Sequence, residues 1–296
     1  KSGGRWIALP LGSGGNCMNY RESHLTAAGF NEFPKDTDAF LKLCQGLKKN
    51  GTPAGFALGN ATGDANGWCH WLLWAFGGRM VDEQNKVAIN SRQTARMLEY
   101  ARELYPTFIP GTLSWLDSNN NKAFLSGAIS LTNNGISIYF AAKTSQDPKL
   151  QAIAEDMNHA VFPIGPAGHQ TMSALFFTCV VFKYTKYPNA AKEYLRFMME
   201  KEQYEEWQKA SIGFVAQPLV FYERNPVWTA DPKHTPFKYT CKNMLPNGYA
   251  GTLGTASAGC MADFIVVNMV AEAASGNLSV KEAIEKAEKR AKRYYR

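Results

Sequence analysis

Short apolar segments alternate along this chain with segments whose apolar residues recur at helical spacing, and that order predicts a mixed α/β fold. Residues 6–11 and 174–183 are nearly continuous apolar runs, so we expect strands there, the second buried on both faces. Apolar residues recur at helical spacing from Phe40 to Leu47, and an apolar helix is expected over 68–76. Strands that alternate with helices indicate helices layered on sheets.

The glycine-rich segment 59–67 is too polar to be packed inside, so we expect it to face water or a ligand. Further on, a long apolar helix is predicted over 261–275. The last helix should begin with a capping box made by Ser279 and Glu282. Because no run of 18 uninterrupted apolar residues occurs, we predict no membrane insertion.

The composition predicts a substantial hydrophobic core and a basic protein. The 296 residues are 45% hydrophobic, with 17 Phe and 13 Tyr, which is enough apolar area for a folded core. The net charge is +7, and the basic residues are densest over 286–296, where Glu288 interrupts the run. We interpret that run as a solvated helix face and predict no nucleic-acid partner, because no nucleic-acid-binding motif accompanies it.

The chain carries few signs of catalytic or metal chemistry. The six cysteines form no CxxC cluster, which argues against a structural metal, although Cys241 and Cys260 could form a disulfide. No GxSxG, HExxH, P-loop or GxGxxG motif occurs. Asp64 and Asp263 are the only loosely plausible acid pair for glycoside cleavage. We therefore predict a protein that is not an enzyme and needs no cofactor.

Several residues could instead contact a small polar ligand. Trp68 follows the polar segment, beside Asp64 and Asn66, and an aromatic face next to short polar groups suits a sugar. We predict that Trp68 is the main apolar contact; simple core packing is the competing interpretation, and it is favoured for Trp71 and Trp74. The other candidates lie in turns or at helix starts, where ordinary capping is the alternative: Asn16, Asn134 and Tyr249.

Seven segments in order resemble the maltose-binding-protein-like receptors of ABC importers. They are WIALPLGSGGNCMNYRESHLTAAGF, FPKDTDAFLKLCQGLKKNG, WLLWAFGGRMVDE, NNNKAFLSGAISLTNNGISIY, FPIGPAG, YPNAAKEYLRFMM and AEAASGNLSVKEAIEKAEKRAKRYY. The resemblance covers essentially the whole chain. It implies a two-lobe periplasmic-binding-protein fold and a periplasmic or extracellular receptor that closes on its ligand and delivers it to a membrane permease.

The resemblance also implies how the lobes divide. Residues 12–172 and 226–296 would form the lower, C-terminal lobe. Residues 1–11 and 177–225 would form part of the upper, N-terminal lobe, with crossing strands near 8–14 and 173–178. Roughly a hundred residues precede the first crossing strand in that family, so we expect the upper lobe to be incomplete in this sequence.

The ligand implied by the resemblance is a small carbohydrate or polyol. Ser137 stands where the family often has a stacking aromatic residue, and this difference favours a small ligand. Trp71 and Ser173 complete the predicted site, with Asn16, Asp64, Asn66, Trp68, Asn134 and Tyr249. The alternatives are a receptor for a polyamine or a glycerophosphodiester, a glycoside-active enzyme and a protein–protein adaptor.

Overall fold

The computed structural model describes residues 4–173 and 175–296, which form an α/β fold. The strands in this part of the chain are β1 (Leu9–Gly14), β2 (Cys17–Arg21), β3 (Leu131–Asn134), β4 (Met157–Ala160), β5 (Phe176–Cys179) and β6 (Val215–Ala216). The first α-helices are α1 (Glu22–Ala27), α2 (Thr37–Lys49), α3 (Asp64–Ala75), α4 (Arg92–Leu104), α5 (Asn119–Leu125), α6 (Ser137–Lys143) and α7 (Pro148–Asp156).

The remaining α-helices are α8 (Pro188–Met198), α9 (Lys201–Ala210), α10 (Val227–Ala230), α11 (Thr240–Asn243), α12 (Thr255–Ala262), α13 (Ile265–Ala274) and α14 (Val280–Ala291). Four short 3₁₀ helices connect them: Tyr105–Thr107, Thr112–Ser114, Val220–Arg224 and Pro232–Phe237. The predicted capping box at the start of α14 is confirmed, because Ser279 Oγ accepts the Glu282 N–H and the Glu282 carboxylate accepts the Ser279 N–H.

Two antiparallel three-stranded sheets organise the fold. One sheet has the order β5-β1-β6 and the other has the order β3-β2-β4. The chain passes from the first sheet to the second through Gly15 and Asn16 alone, since β1 ends at Gly14 and β2 begins at Cys17. The division into lobes at 1–11 with 177–225, and at 12–172 with 226–296, stays a prediction.

The main core surrounds α3, which is buried on every face. Helices α4 and α13 pack against it, and α14 packs on both of them. Full burial explains why α3 is apolar around nearly its whole circumference after its first turn. A second buried cluster centres on Phe124, Tyr139, Trp228 and Phe237, between α5, α6 and the C-terminal segments.

The predicted long helix over 261–275 is two helices. Helix α12 ends at Ala262, and α13 begins at Ile265 after Phe264, which adopts a left-handed conformation with φ of 50°. By length and composition the stretch Thr255–Ala274 could cross a membrane, but half of it is buried inside the fold. We interpret it as core helices, because α13 packs against α3, α4 and α14.

The predicted strand over 174–183 is shorter and less buried than expected. Strand β5 spans Phe176–Cys179, and Phe176 and Val180 are half-exposed. The expectation of burial on both faces is therefore wrong for the residues described. The alternate residues Cys179 and Val181 line a separate apolar surface together with the exposed side chains Trp6, Ile7 and Leu219.

Candidate functional site

A cavity of about 100 Å³ opens at the junction of the two sheets. The chain segment that joins β1 to β2 forms one wall, through Gly14, Gly15 and Asn16. The other lining residues are Thr62, Gly63, Asp64, Gly67, Asn134, Gly135, Ser137, Ser173, Leu175, Phe177, Phe214 and Met261. No Lys, Arg or His occurs among these described lining residues.

Asp64 is the one acidic residue in this described lining. It begins α3 and is 7% exposed. Its Oδ2 accepts a hydrogen bond from Asn120 Nδ2 at 2.9 Å, whereas its Oδ1 receives none from any described residue. Because Asp64 lines the cavity, this oxygen is available to a ligand.

Burial of the Asp64 side chain raises the pKa of its carboxyl group to about 7. The negative charge of Asp117 raises this pKa further, and the hydrogen bond from Asn120 opposes both effects. Asp64 therefore changes protonation state near neutral pH, where its Oδ1 can accept a hydrogen bond as a carboxylate or donate one as an acid.

Side-chain amides from two segments of the chain hold Asp64, and Asn16 joins the same network. Asn120 Nδ2 bonds both Asp64 and the Asn133 carbonyl, and Asn133 Nδ2 reaches the Asp64 carbonyl at 3.0 Å and Asn16 Oδ1 at 3.2 Å. The Nδ2 of Asn16 donates to none of the described residues. The cavity thus combines a free acceptor on Asp64 with a free donor on Asn16.

A second set of amides shapes the opposite side of the polar surface. Asn134 Nδ2 donates to Asn121 Oδ1 at 2.7 Å, and Asn134 Oδ1 accepts the Gly135 N–H. Asn121 Nδ2 in turn donates to Ser137 Oγ at 3.1 Å. These bonds fix the orientation of Asn134 and Ser137 on the cavity lining.

Asp117 anchors the start of α3 from a distance of more than fifty residues in sequence. Its carboxylate accepts the backbone N–H groups of Thr62, Gly63 and Asp64 at 2.9–3.0 Å. These are donors that the helix itself cannot pair, and a negative charge there is favoured by the helix dipole. Asp117 thereby fixes the position of Asp64 as well.

An apolar wall faces the polar surface across the cavity. It is formed by Leu175, Phe177, Phe214 and Met261, with the two aromatic ring centroids 6.4 Å apart. Phe177 is partly buried, whereas its neighbour Phe176 points away from the cavity and is 50% exposed. The apolar wall therefore comes from β5 with the residue before it, from the segment before β6, and from α12.

Four of the predicted ligand residues line this cavity: Asn16, Asp64, Asn134 and Ser173. They come from different parts of the chain, and the fold brings them to one place. Their contact with a ligand stays a prediction.

The structure contradicts the placement of Trp68 at the cavity. Its ring is 1% exposed, its Nε1 donates to the Ala57 carbonyl at 2.7 Å, and it packs against Phe56 and Phe108. The reason is that α3 begins at Asp64, one turn earlier than predicted, so Trp68 already lies inside the helix and the core. The prediction that residues 59–67 face water or ligand is wrong for Ala65 and Asn66, which are buried.

The other predicted contacts also lie outside the cavity lining. Trp71 is fully buried and donates to the Pro163 carbonyl, and Asn66 bonds the Thr62 carbonyl. Tyr249 is partly exposed and packs edge-on against Trp74, at a centroid distance of 5.4 Å. Cys241 and Cys260 are free thiols, so the possible disulfide between them is absent.

The sequence-based prediction missed Asn120, which positions Asp64, and Phe177 and Phe214 in the apolar wall. No local pattern marks Asn120, because the contacts that define its role join segments far apart in sequence. Phe177 had been assigned to a strand buried on both faces. A period-two pattern within β5 was the one available signal, since alternate residues of a strand face opposite sides.

The fold is that of a two-lobe α/β binding protein, and the cavity lies where the chain crosses between the two sheets. Maltose-bound MalE3 of T. maritima has a similar structure, with a TM-score of 0.81 and 19% sequence identity, over 99% of this chain and 73% of that one. A sugar transporter from Arthrobacter chlorophenolicus A6 with bound laminaribiose has a TM-score of 0.79 at 18% sequence identity. The similarity covers 99% of this chain and 73% of that one.

A solute-binding protein of an ABC transporter from Agrobacterium vitis S4, with bound D-mannitol, has a TM-score of 0.77 at 17% identity, covering 99% of this chain and 73% of that one. A probable ABC transporter-binding protein of Deinococcus radiodurans is 23% identical over 204 residues, which are 66% of this chain. The match covers 48% of that protein, so this chain spans about half the length of the curated relative.

The family described as bacterial extracellular solute-binding protein matches residues 2–236. The chain belongs to this family, as the order of its sequence segments indicated. Because the family is extracellular, the protein is assigned to the periplasm or the extracellular space.

Proposed function

We propose that this protein is the receptor of an ABC importer for a small carbohydrate or polyol. The observation that carries this proposal is the two-sided cavity, in which Asp64 and Asn16 present a free acceptor and a free donor opposite an apolar wall. A hydroxyl group both donates and accepts hydrogen bonds, so it satisfies both atoms. The C–H faces of the same ligand would pack on Phe177 and Phe214.

The charges around the cavity support a neutral ligand over the two charged alternatives. A glycerophosphodiester would require an arginine or another cation, and none occurs in the described lining. A polyamine would require several carboxylates, whereas Asp64 is the single acid there. The position of the cavity between the two sheets favours capture by closure of the two units around the ligand.

Binding without turnover is part of the same proposal. Glycoside cleavage requires two carboxyl groups placed across the scissile bond. Asp117, the acid that acts on Asp64, already accepts three backbone N–H groups and lies outside the cavity lining. The closed, loaded receptor would then deliver its ligand to a membrane permease, as the class of the curated relative suggests.

Isothermal titration calorimetry with maltose, laminaribiose and D-mannitol tests this function, because proteins of the same fold hold these ligands. We expect at least one of them, or a close relative, to bind. Replacement Phe177→Ala should weaken that binding by about 1–3 kcal/mol through loss of apolar contact. Replacement Phe176→Ala is the matched control, since this side chain points away from the cavity and its loss should leave affinity unchanged.

Two results would count against the proposal. Equal loss of affinity in both variants would mean that β5 acts through the fold and not through ligand contact. Hydrolysis of chromogenic glycosides at a steady rate would replace the receptor with the glycoside-active alternative.

A further inference from the structure

One carboxylate oxygen of Asp64, Oδ1, opens into the cavity and has no hydrogen-bond donor among the described residues. The residue is more than nine-tenths buried, and its other oxygen is held by Asn120 at 2.9 Å. An oriented acid whose remaining oxygen opens into a cavity can accept a hydrogen bond from a ligand there.

Asn120 decides which oxygen remains free. Its amide is itself fixed, because Nδ2 also donates to the Asn133 carbonyl and Oδ1 accepts the Asn121 N–H. This geometry keeps Oδ2 occupied and leaves Oδ1 as the oxygen without a protein donor. Asn120 is thus a positioning residue for Asp64, without being part of the cavity lining itself.

The surroundings of Asp64 contain little positive charge. Asp117 is the charged group that acts on it, and the polar neighbours from β3, α5 and the β1–β2 connection are asparagines, which do not titrate. Met261 of α12 and Gly67 of α3 complete the surroundings without a charge. A hydrogen bond from a ligand hydroxyl would therefore stabilise the carboxylate.

We propose that the carboxylate form of Asp64 anchors the ligand by accepting a hydrogen bond from a ligand hydroxyl at Oδ1, so that the receptor binds its ligand more tightly above neutral pH than at acidic pH. This inference rests on the proposed function, and it identifies the polar anchor and the direction of its pH dependence. A hydrogen bond to an ionised acceptor is about twice as strong as one between neutral groups. Protonation of Asp64 replaces the charged hydrogen bond with a weaker one between neutral groups.

The size of the effect follows from the protonation equilibrium. In the free protein the carboxyl group titrates near pH 7, and a ligand that prefers the ionised form lowers this pKa. If it lowers the pKa by about one unit, affinity falls about tenfold between pH 8.5 and pH 5.5. Binding at pH 7 then releases up to about half a proton, which passes from Asp64 to the buffer.

The experiment is calorimetric titration with D-mannitol, maltose and laminaribiose, from pH 5.5 to pH 8.5 and in buffers of different ionisation enthalpy. The wild type should lose about tenfold in affinity at the acid end and release protons at pH 7. Replacement Asp64→Asn keeps the shape and the acceptor for Asn120. We expect it to bind with the low-pH affinity of the wild type at every pH, without proton release.

Replacement Asn120→Ala tests the positioning role separately. Loss of its N–H should move the midpoint of the affinity profile to higher pH, because that bond favours the carboxylate. A purely structural residue would lower affinity equally at every pH. A flat wild-type profile, or Asp64→Asn binding as tightly as the wild type at pH 8.5, would overturn the anchor while leaving the receptor function intact. Failure of every probe to bind at pH 8.5 would overturn the proposed function and the anchor together.

Discussion

Replacement Trp68→Ala should destabilise the protein strongly, because Trp68 belongs to the core and not to the ligand cavity. The ring is 1% exposed and packs against Phe56 and Phe108 at centroid distances of 5.6 and 5.9 Å. Truncation of a buried tryptophan to alanine costs about 3–5 kcal/mol of the free energy of unfolding. Replacement Trp68→Phe retains an aromatic ring but leaves the Ala57 carbonyl without its partner, at about 1–3 kcal/mol.

Urea denaturation followed by far-UV circular dichroism measures these losses directly. Dichroism is preferable to fluorescence, since the chain has seven tryptophans. Replacement Tyr187→Ala provides the exposed control, because this side chain is 74% exposed and its loss should change stability by less than about 0.5 kcal/mol. An unchanged free energy of unfolding for Trp68→Ala, together with weaker ligand binding, would refute this reasoning and return Trp68 to the ligand site.

Two further predictions concern the stability contributions of Asp117 and His159. Replacement Asp117→Ala should lower the free energy of unfolding by about 1–2 kcal/mol, because α3 loses the acceptor for three N–H groups. Replacement Asp117→Asn keeps one acceptor oxygen and should lower it by less in the same urea titration. Burial lowers the pKa of His159 to about 3, below the value near 6.5 expected when unfolded, so its stabilising contribution is present above pH 6.5 and is lost as pH falls. At pH 5 this loss is about 2 kcal/mol. His159→Gln should unfold with a correspondingly weaker dependence on pH, and an identical slope in the two proteins would contradict the assignment.

Local patterns predicted the helices well and the site only in part. The capping box of α14 and the apolar face of α2 depend on residues close in sequence, and both are confirmed. The start of α3 was predicted one turn late because Asp117, which pairs its first N–H groups, lies 53 residues from Asp64. With the helix beginning at Asp64, Trp68 lies in its second turn and is buried in the core, not at the expected cavity edge.

The amides of the cavity illustrate the same limit. Asn16 and Asn134 stood out in sequence because each lies beside glycines, where a polar side chain has an evident use. Asn120 lies within the run 119–121 of three asparagines, and nothing local distinguishes it from its neighbours. Its role arises only when α5 meets β3 and α3 in the folded chain.

In the proposed receptor, the two residues between β1 and β2 would link the choice of ligand to closure of the protein. Gly15 and Asn16 are the whole connection between the sheets at this point, and both also line the cavity. A side chain at Gly15 would meet the Phe237 ring at 2.7 Å, so substitution there would displace the crossing and the ligand surface together. Under the proposed closure mechanism, a substitution at either position would change ligand contact and closure at the same time. Redesign of this protein as a sensor should accordingly vary β5 and the segment before β6, where the apolar wall can change while the crossing is preserved.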